Sequence, residues 1–289
     1  MRAALHKVVT RLLLLTALTL LGGLISATLV RVAPGYGTDE RELDPRLSQA
    51  SVEALRNSSR IDSGLLSYYG RYLSNAARGD FGTSQWLGRP VRSLIQERLP
   101  ITARSVFVGI LLAWIAALAC ALVIFFPGGA IFNFPGTAIS GIFIALPTGV
   151  VAMAAVYLRL PVFAAIAVVT LPKLYRYLRN LLSDAYGQPH ILAARARGIK
   201  PARIVFRHVL PLAAPALAAL FGVSLSMAFG AAIPIEALCD SPGVGQLAWQ
   251  AALNRDLPLI MNITLFITLL TVAANSLSGL AAATQQRLA

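Results

Sequence analysis

Charge is scarce in this 289-residue chain: 13% of its residues are Asp, Glu, Lys or Arg, against roughly 25% in soluble domains. Together with 57% hydrophobic residues and a mean hydropathy of +0.69, that shortage argues against a soluble globular fold. Sulfur and imidazole are equally sparse. Two cysteines and three histidines supply neither a zinc-ligand spacing nor a Cys/His catalytic pair. Cys120 falls inside an apolar run and Cys239 between two runs, so both are expected to be inert and unpaired. No Gly-x-x-x-x-Gly-Lys-Ser/Thr occurs, which excludes ATP binding through a phosphate loop. With no nucleophile–base pair and no metal cluster in a polar site, no catalytic, cofactor-binding or metal residue is nominated, and no enzyme is expected. Ionisable residues are also missing from the middle of every long apolar run, Arg11 and Arg104 lying close to ends. Proton- or sodium-coupled carriers place such groups at mid-membrane, so a secondary carrier is disfavoured.

What charge there is has a direction. The formal net charge is +13. Between Arg31 and Arg98 ten Lys/Arg nearly balance eight acids, whereas between Lys173 and Arg207 eight Lys/Arg face Asp184 alone. An excess confined to one loop is the pattern that orients a membrane protein. Nucleic-acid binding calls for aromatics interleaved with the basic residues, and this segment offers only Tyr175, Tyr177, Tyr186 and Phe206. No nucleic-acid partner is expected.

A membrane-spanning helix needs about 20 apolar residues, and six candidates emerge: Val8–Val30, Ile101–Phe126, Thr137–Leu158, Val162 through Leu182, Leu212–Ile235 and Leu257–Leu280. The first exceeds the 7–15 residues of a signal-peptide core and is expected to be an uncleaved anchor. The third carries Pro147, which lipid-embedded helices tolerate when neighbours re-satisfy the backbone. The fourth continues past Pro172-Lys173 with its basic residues snorkelling to water. The expected organisation is an all-α polytopic membrane protein: residues 1–30 an N-terminal span, 31–100 an extracytoplasmic helical segment, and 101–289 a core of five spans with a loop at 183–211. With both termini inside, 31–100 and 236–256 face outward and 173–211 inward, and Glu236, Asp240 and Asp256 count among the outside charges.

Within 31–100, leucines and aromatics over Leu65–Leu73 recur at helical spacing and predict a short amphipathic helix. Gly79-Asp-Phe-Gly82 predicts a turn, and Pro90 opens a helix with Val91, Leu94 and Ile95 on one face. In the last span Thr264, Thr268, Thr271, Asn275 and Ser278 fall on one face, either as interhelical hydrogen bonds or as one wall of a water-accessible path. In the fifth span Gly222, Ser226 and Gly230 form a small-residue seam for close helix packing.

The basic loop has its own order. An Ala-rich helix through Ala193, Ala194, Arg195, Ala196 and Arg197 ends at Gly198, which suits a left-handed cap, and Pro201 suits the first turn of the next helix. Arg195, Arg197 and Lys200 can pair with acids on a partner or with anionic lipid. The segment resembles the cytoplasmic EAA-type motif of ATP-binding-cassette importer permeases: Glu-Ala-Ala, three residues, Gly, then nine residues to Ile-x-Leu-Pro. Ala193-Ala194, Gly198 and Leu210-Pro211 match, while Leu192 replaces the glutamate and His208 the isoleucine. Ala194 through Ile199 and Arg207-His208 are similar to the dipeptide/oligopeptide/nickel permease family. So are Gly79–Ser84, Pro90–Thr102, Ala145-Leu146-Pro147, Ser241–Gly245 and Asn254–Pro258.

This resemblance implies a type I importer permease with six transmembrane helices and a cytoplasmic coupling helix, in a bacterial inner membrane with both termini cytoplasmic. It implies partners: ATPase subunits that carry the ATP and Mg, a second permease subunit, identical or homologous, and an extracytoplasmic binding protein delivering peptide or a related small solute. Coupling would rest on residues 193–199, Arg207, His208, Leu210 and Pro211. The alternative is a degenerate, non-conducting scaffold subunit, suggested by the short Arg159-Leu160-Pro161 connection.

Overall fold

The computed structural model describes residues 17, 20–25, 28 and 65–288, with 65–68, 77 and 277–288 described by backbone alone. Those residues form helices joined by turns, plus one isolated bridge between Thr83 and Pro90. In chain order the helices are α1 (Leu65–Ala77), α2 (Val91–Val123), α3 (Asn133–Ala145), α4 (Thr148–Tyr157) and α5 (Val162–Tyr186). They continue as α6 (Pro189–Ala196), α7 (Pro201–Ile204), α8 (Leu210–Leu238), α9 (Val244–Leu253) and α10 (Leu257–Leu288).

Among the described residues three stretches are long and apolar enough to cross a bilayer: Val91–Val123, Pro201–Leu238 and Leu257–Ser276. A fourth is formed if the bent pair Gly129–Ala145 and Thr148–Tyr157 is one span. Among the described residues, then, three or four of the six expected spans qualify. The expected Val8–Val30 span lies mostly outside the described residues. Val162–Tyr186 is one helix, as expected, but Lys173, Arg176, Arg179 and Asp184 make its second half too charged to qualify.

The expected third span is broken. α3 stops at Ala145, Leu146 is extended (φ −72°, ψ 125°), and Pro147 precedes α4. The pair is bent by 92°. A residue before proline is pushed out of the α region by the ring, and here the chain turns where a neighbour-supported kink was expected. The reverse holds at Pro100: the expected Pro90 helix and the second span fuse into one 33-residue helix with Pro100 inside.

The chain divides into two compact units, Met1–Gln96 with Gln250–Thr268, and Glu97–Trp249 with Leu269–Ala289. In the first, Tyr69 packs with Leu257 and Met261, and its hydroxyl donates to the Leu20 carbonyl at 2.6 Å. Burial pushes the Tyr69 phenol above its usual pKa. A Cβ on Gly23 would lie 2.6 Å from the Tyr69 hydroxyl and 2.7 Å from Leu265 Cδ2. Only glycine lets the helical turn at 20–25 come that close.

The second unit is organised on α2, α5 and α8. α5 buries Ile166, Thr170, Leu174, Leu178 and Leu182, a four-residue repeat along one face. α2 meets it through small residues: Ala113, Ala117 and Ala121 are wholly buried. One turn earlier, a Cβ on Gly109 would sit 2.8 Å from the Phe163 carbonyl oxygen. This Gly109–Ala113–Ala117–Ala121 seam is the close helix approach that small residues permit in lipid.

Candidate functional site

The basic loop folds as its sequence predicts. Gln188 is extended, Pro189 opens α6, and Ile191 and Ala194 turn inward while Ala193, Arg195, Ala196 and Arg197 are exposed. Gly198 takes φ +73°. Its N–H donates to the Arg195 carbonyl at 2.9 Å, and the Ile199 N–H donates to the Ala194 carbonyl at 3.3 Å. This pair of bonds is the Schellman closure of a helix. Lys200 is extended and Pro201 starts α7.

The turn after α7 is not legible in the sequence. Val205–Val209 is π-helical and runs directly into α8, with the Leu210 N–H bonded to the Val205 carbonyl. Pro211 has no N–H to return to the Arg207 carbonyl, and a π turn absorbs that missing rung. Such bulges are frequent at functional sites. Arg207 is exposed, His208 and Leu210 are half-buried, and Pro211 is exposed. The loop's second half is therefore mechanically continuous with the Pro201–Leu238 span. Arg195 holds its guanidinium 5.2 Å above the Tyr186 ring, and that ring packs on Phe125 at 4.8 Å.

At the opposite end of α8 lies a polar clasp. Glu236, expected in an outside loop, belongs to the last turn of α8 and is wholly buried. Its Oε2 accepts from Thr102 Oγ1 at 3.0 Å and from the Gly245 N–H at 2.7 Å. Thr102 in turn accepts the Val244 N–H at 2.8 Å. Gly243 and Gly245 make room for it: a Cβ on Gly243 would lie 2.2 Å from Glu236 Oε2, and one on Gly245 2.7 Å from the Ile233 Cα. One turn back on α2, Arg98 donates to Gln246 at 3.0 Å, and Gln246 donates to Asp240. The Pro242-Gly243-Val244-Gly245 signature thus accommodates a carboxylate that sequence reasoning assigned to solvent. The available signal was the pair of glycines seven and nine residues after an acid ending an apolar run.

The other unit joins two more of the sequence signatures. Asp256, 1% exposed, caps α10 by accepting the Leu259 N–H at 3.1 Å, and also accepts from Trp86 N–H at 3.1 Å and the Ser84 hydroxyl. Asn262 donates to the Phe81 carbonyl at 2.8 Å and accepts from the Tyr72 hydroxyl at 2.7 Å. The Gly79–Ser84 and Asn254–Pro258 segments, far apart in sequence, form one structure.

The remaining nominated residues are scattered in environment. On α10, Thr264, Thr268 and Thr271 are half-buried and Asn275 is exposed, while Ser278 lies where only the backbone is described. A Cβ on Gly22 would meet Thr268 Oγ1 at 3.3 Å, so a close helical neighbour covers that hydroxyl. On α8, Gly222 is buried, Ser226 bonds back to the Gly222 carbonyl at 3.3 Å, and Gly230 is exposed with open space around it. Between these, Ser224 accepts from the Trp114 indole N–H at 2.9 Å. Cys120 and Cys239 are free, and burial raises the Cys239 thiol pKa.

Known proteins are similar to this chain along most of its length. The chain is 29% identical over 297 residues to the oligopeptide transport system permease protein AppB of Bacillus subtilis, covering 89% of this chain and 90% of that protein. It is 27% identical to the oligopeptide transport system permease protein OppB of Salmonella typhimurium, covering 84% and 85% respectively. A putative peptide permease protein of Brucella suis is 25% identical over 97% of this chain and 96% of its own length. Residues 136–288, from the first turn of α3 to the end of α10 and including the whole basic loop, match a single family. The chain belongs to the family of inner-membrane components of binding-protein-dependent transport systems.

Proposed function

We propose that this chain is the transmembrane permease subunit of an ATP-binding-cassette importer for peptides or a related small solute. The observation that carries the reading is the α6–Gly198–α7 element inside the matched residues 136–288. It is a short, capped, basic helix joined by the turn at 197–200 to a 38-residue apolar stretch that starts at Pro201. Such an element transmits motion. An ATPase seated on α6 displaces a rigid helix, the π turn and α8 move with it, and ATP binding shifts the spans by its differential affinity for two arrangements. The names of the relatives support oligopeptides as the cargo.

In this reading six spans cross the inner membrane with both termini cytoplasmic, 31–100 and the clasp at 236–256 face outward, and 183–211 faces the ATPase. Residues 193–199, Arg207, His208, Leu210 and Pro211 form the coupling surface, and Thr264, Thr268, Thr271, Asn275 and Ser278 one wall of the path. Gly222, Ser226 and Gly230 serve close helix packing, within the subunit or, at exposed Gly230, against a second permease subunit. ATP and Mg belong to the separate ATPase, and a binding protein delivers the solute.

The test is an affinity pull-down from gently solubilised native membranes, followed by peptide uptake in proteoliposomes made from what co-purifies. A phosphate-loop ATPase, a second permease and ATP-dependent uptake support the reading. A chain recovered alone in several mild detergents, or uptake that follows an ion gradient without ATP, overturns it.

A further inference from the structure

Where α2 ends, the second unit has an open-mouthed cavity of about 400 Å³ bordered by Phe125, Phe126, Tyr186, Arg195, Ile199 and Ile204. Its size falls in the range of small-ligand sites, roughly 300–1,000 Å³. The walls are of two kinds. Phe125 and Phe126 extend the apolar surface of a spanning helix, and Ile199 and Ile204 close the other side. At its edge stands Arg195, exposed, held over the Tyr186 ring at 5.2 Å and bonded to no carboxylate among the described residues. Arg197, Lys200 and Arg203 are also exposed nearby in sequence, and Asp184 is the only acid between Lys173 and Arg207.

We propose that this cavity binds an anionic phospholipid, its phosphate on Arg195 and the upper part of one acyl chain between Phe125, Phe126, Ile199 and Ile204. The occupant has to satisfy both halves of the site. An isolated partner carboxylate answers the arginine without filling the apolar walls. A free anion leaves the apolar walls bare. A phospholipid carries both groups in one molecule and is present wherever a spanning helix leaves the hydrocarbon. Basic pockets among spanning helices are a known chemistry for anionic headgroups, and the aromatic ring under the guanidinium fixes its position at little entropic cost. The site adds a lipid-sensitive element behind α6. It rests on α2 spanning a bilayer and is independent of which ATPase or solute the complex serves.

The experiment titrates short-chain phosphatidylglycerol into the delipidated complex, purified with the full chain, and reads bound lipid by native mass spectrometry. Phosphatidylcholine and inorganic phosphate are the parallel probes. Saturable phosphatidylglycerol binding is expected, with neither other probe binding. Arg195→Gln should weaken it roughly fivefold, the change that about 1 kcal/mol per surface arginine corresponds to. Ile199→Trp, which fills the cavity, should reduce it further, while Ile199→Val, which keeps the cavity open, should bind as the parent does. Equal binding by Arg195→Gln and Ile199→Trp overturns the proposal. So does phosphate binding as tightly as the lipid, or release of a co-purifying protein by Arg195→Gln with lipid binding unchanged.

Discussion

Replacing Gly243 by alanine tests the clasp at the end of α8. The new methyl would lie 2.2 Å from Glu236 Oε2 and 2.4 Å from its Cδ, far inside contact distance. A flexible surface side chain would swing away, but Glu236 is wholly buried and its Oε2 is held by Thr102 and Gly245. Moving it sacrifices two hydrogen bonds, about 1 kcal/mol each, and strands a buried carboxyl group at roughly 1–3 kcal/mol more. A destabilisation of about 3 kcal/mol results, which lowers the unfolding midpoint by roughly 6–12 °C at 2–4 °C per kcal/mol. Thermal unfolding of the purified protein, followed by tryptophan fluorescence, measures it. The diagnostic is a double-mutant cycle. With Glu236→Ala in place the methyl has room, so Gly243→Ala should then cost under about 1 kcal/mol, a coupling of about 2 kcal/mol. Additive effects, or a harmless Gly243→Ala in the parent chain, would refute the reasoning.

Gly198→Pro cannot adopt φ +73° and removes the N–H that closes α6; transport should be abolished with membrane insertion intact, and a normally transporting variant sinks the proposed coupling role. Asp256→Ala removes the cap of α10 together with the Ser84 and Trp86 contacts, and should cost about 1–3 kcal/mol; Ser84→Ala should cost less, and thermal midpoints that rank the two the other way contradict the capping geometry. Gly109→Leu should disrupt the α2–α5 crossing by about 1–3 kcal/mol or more. Gly230→Leu, in open space, should leave the thermal midpoint of the isolated subunit unchanged and act only on subunit assembly, read by size-exclusion chromatography.

Much of the local structure was legible because its causes are local. The amphipathic repeat over Leu65–Leu73 falls inside α1, and Gly79 and Gly82 take the positive φ of the expected turn. At the basic loop a single glycine needing a left-handed cap and a proline suited to a first turn set the ends of α6 and α7. Left-handed caps at Arg159, Asp240 and Arg255 were less visible, since there a residue that normally avoids this region is held by its context. The Arg159 cap is closed by a bond from the Leu160 N–H to the Ala155 carbonyl at 2.8 Å.

Composition and periodicity by themselves determined that the chain is helical and apolar, where its basic loop lies and how that loop starts and stops. These depend on the side chain's own volume, charge and backbone preference. Tertiary structure alone decided that Gly109 and the alanines that follow it on α2 make a close crossing. It decided that the chain turns at Pro147 yet stays helical through Pro100. It also decided that Glu236 leaves water with one oxygen held by the Thr102 hydroxyl and the Gly245 N–H, and that Asp256 meets Ser84 across 172 residues. A buried polar group is tolerated only where its partners converge, and that convergence belongs to the fold, because no one segment contains both the carboxylate and the donors that hold it.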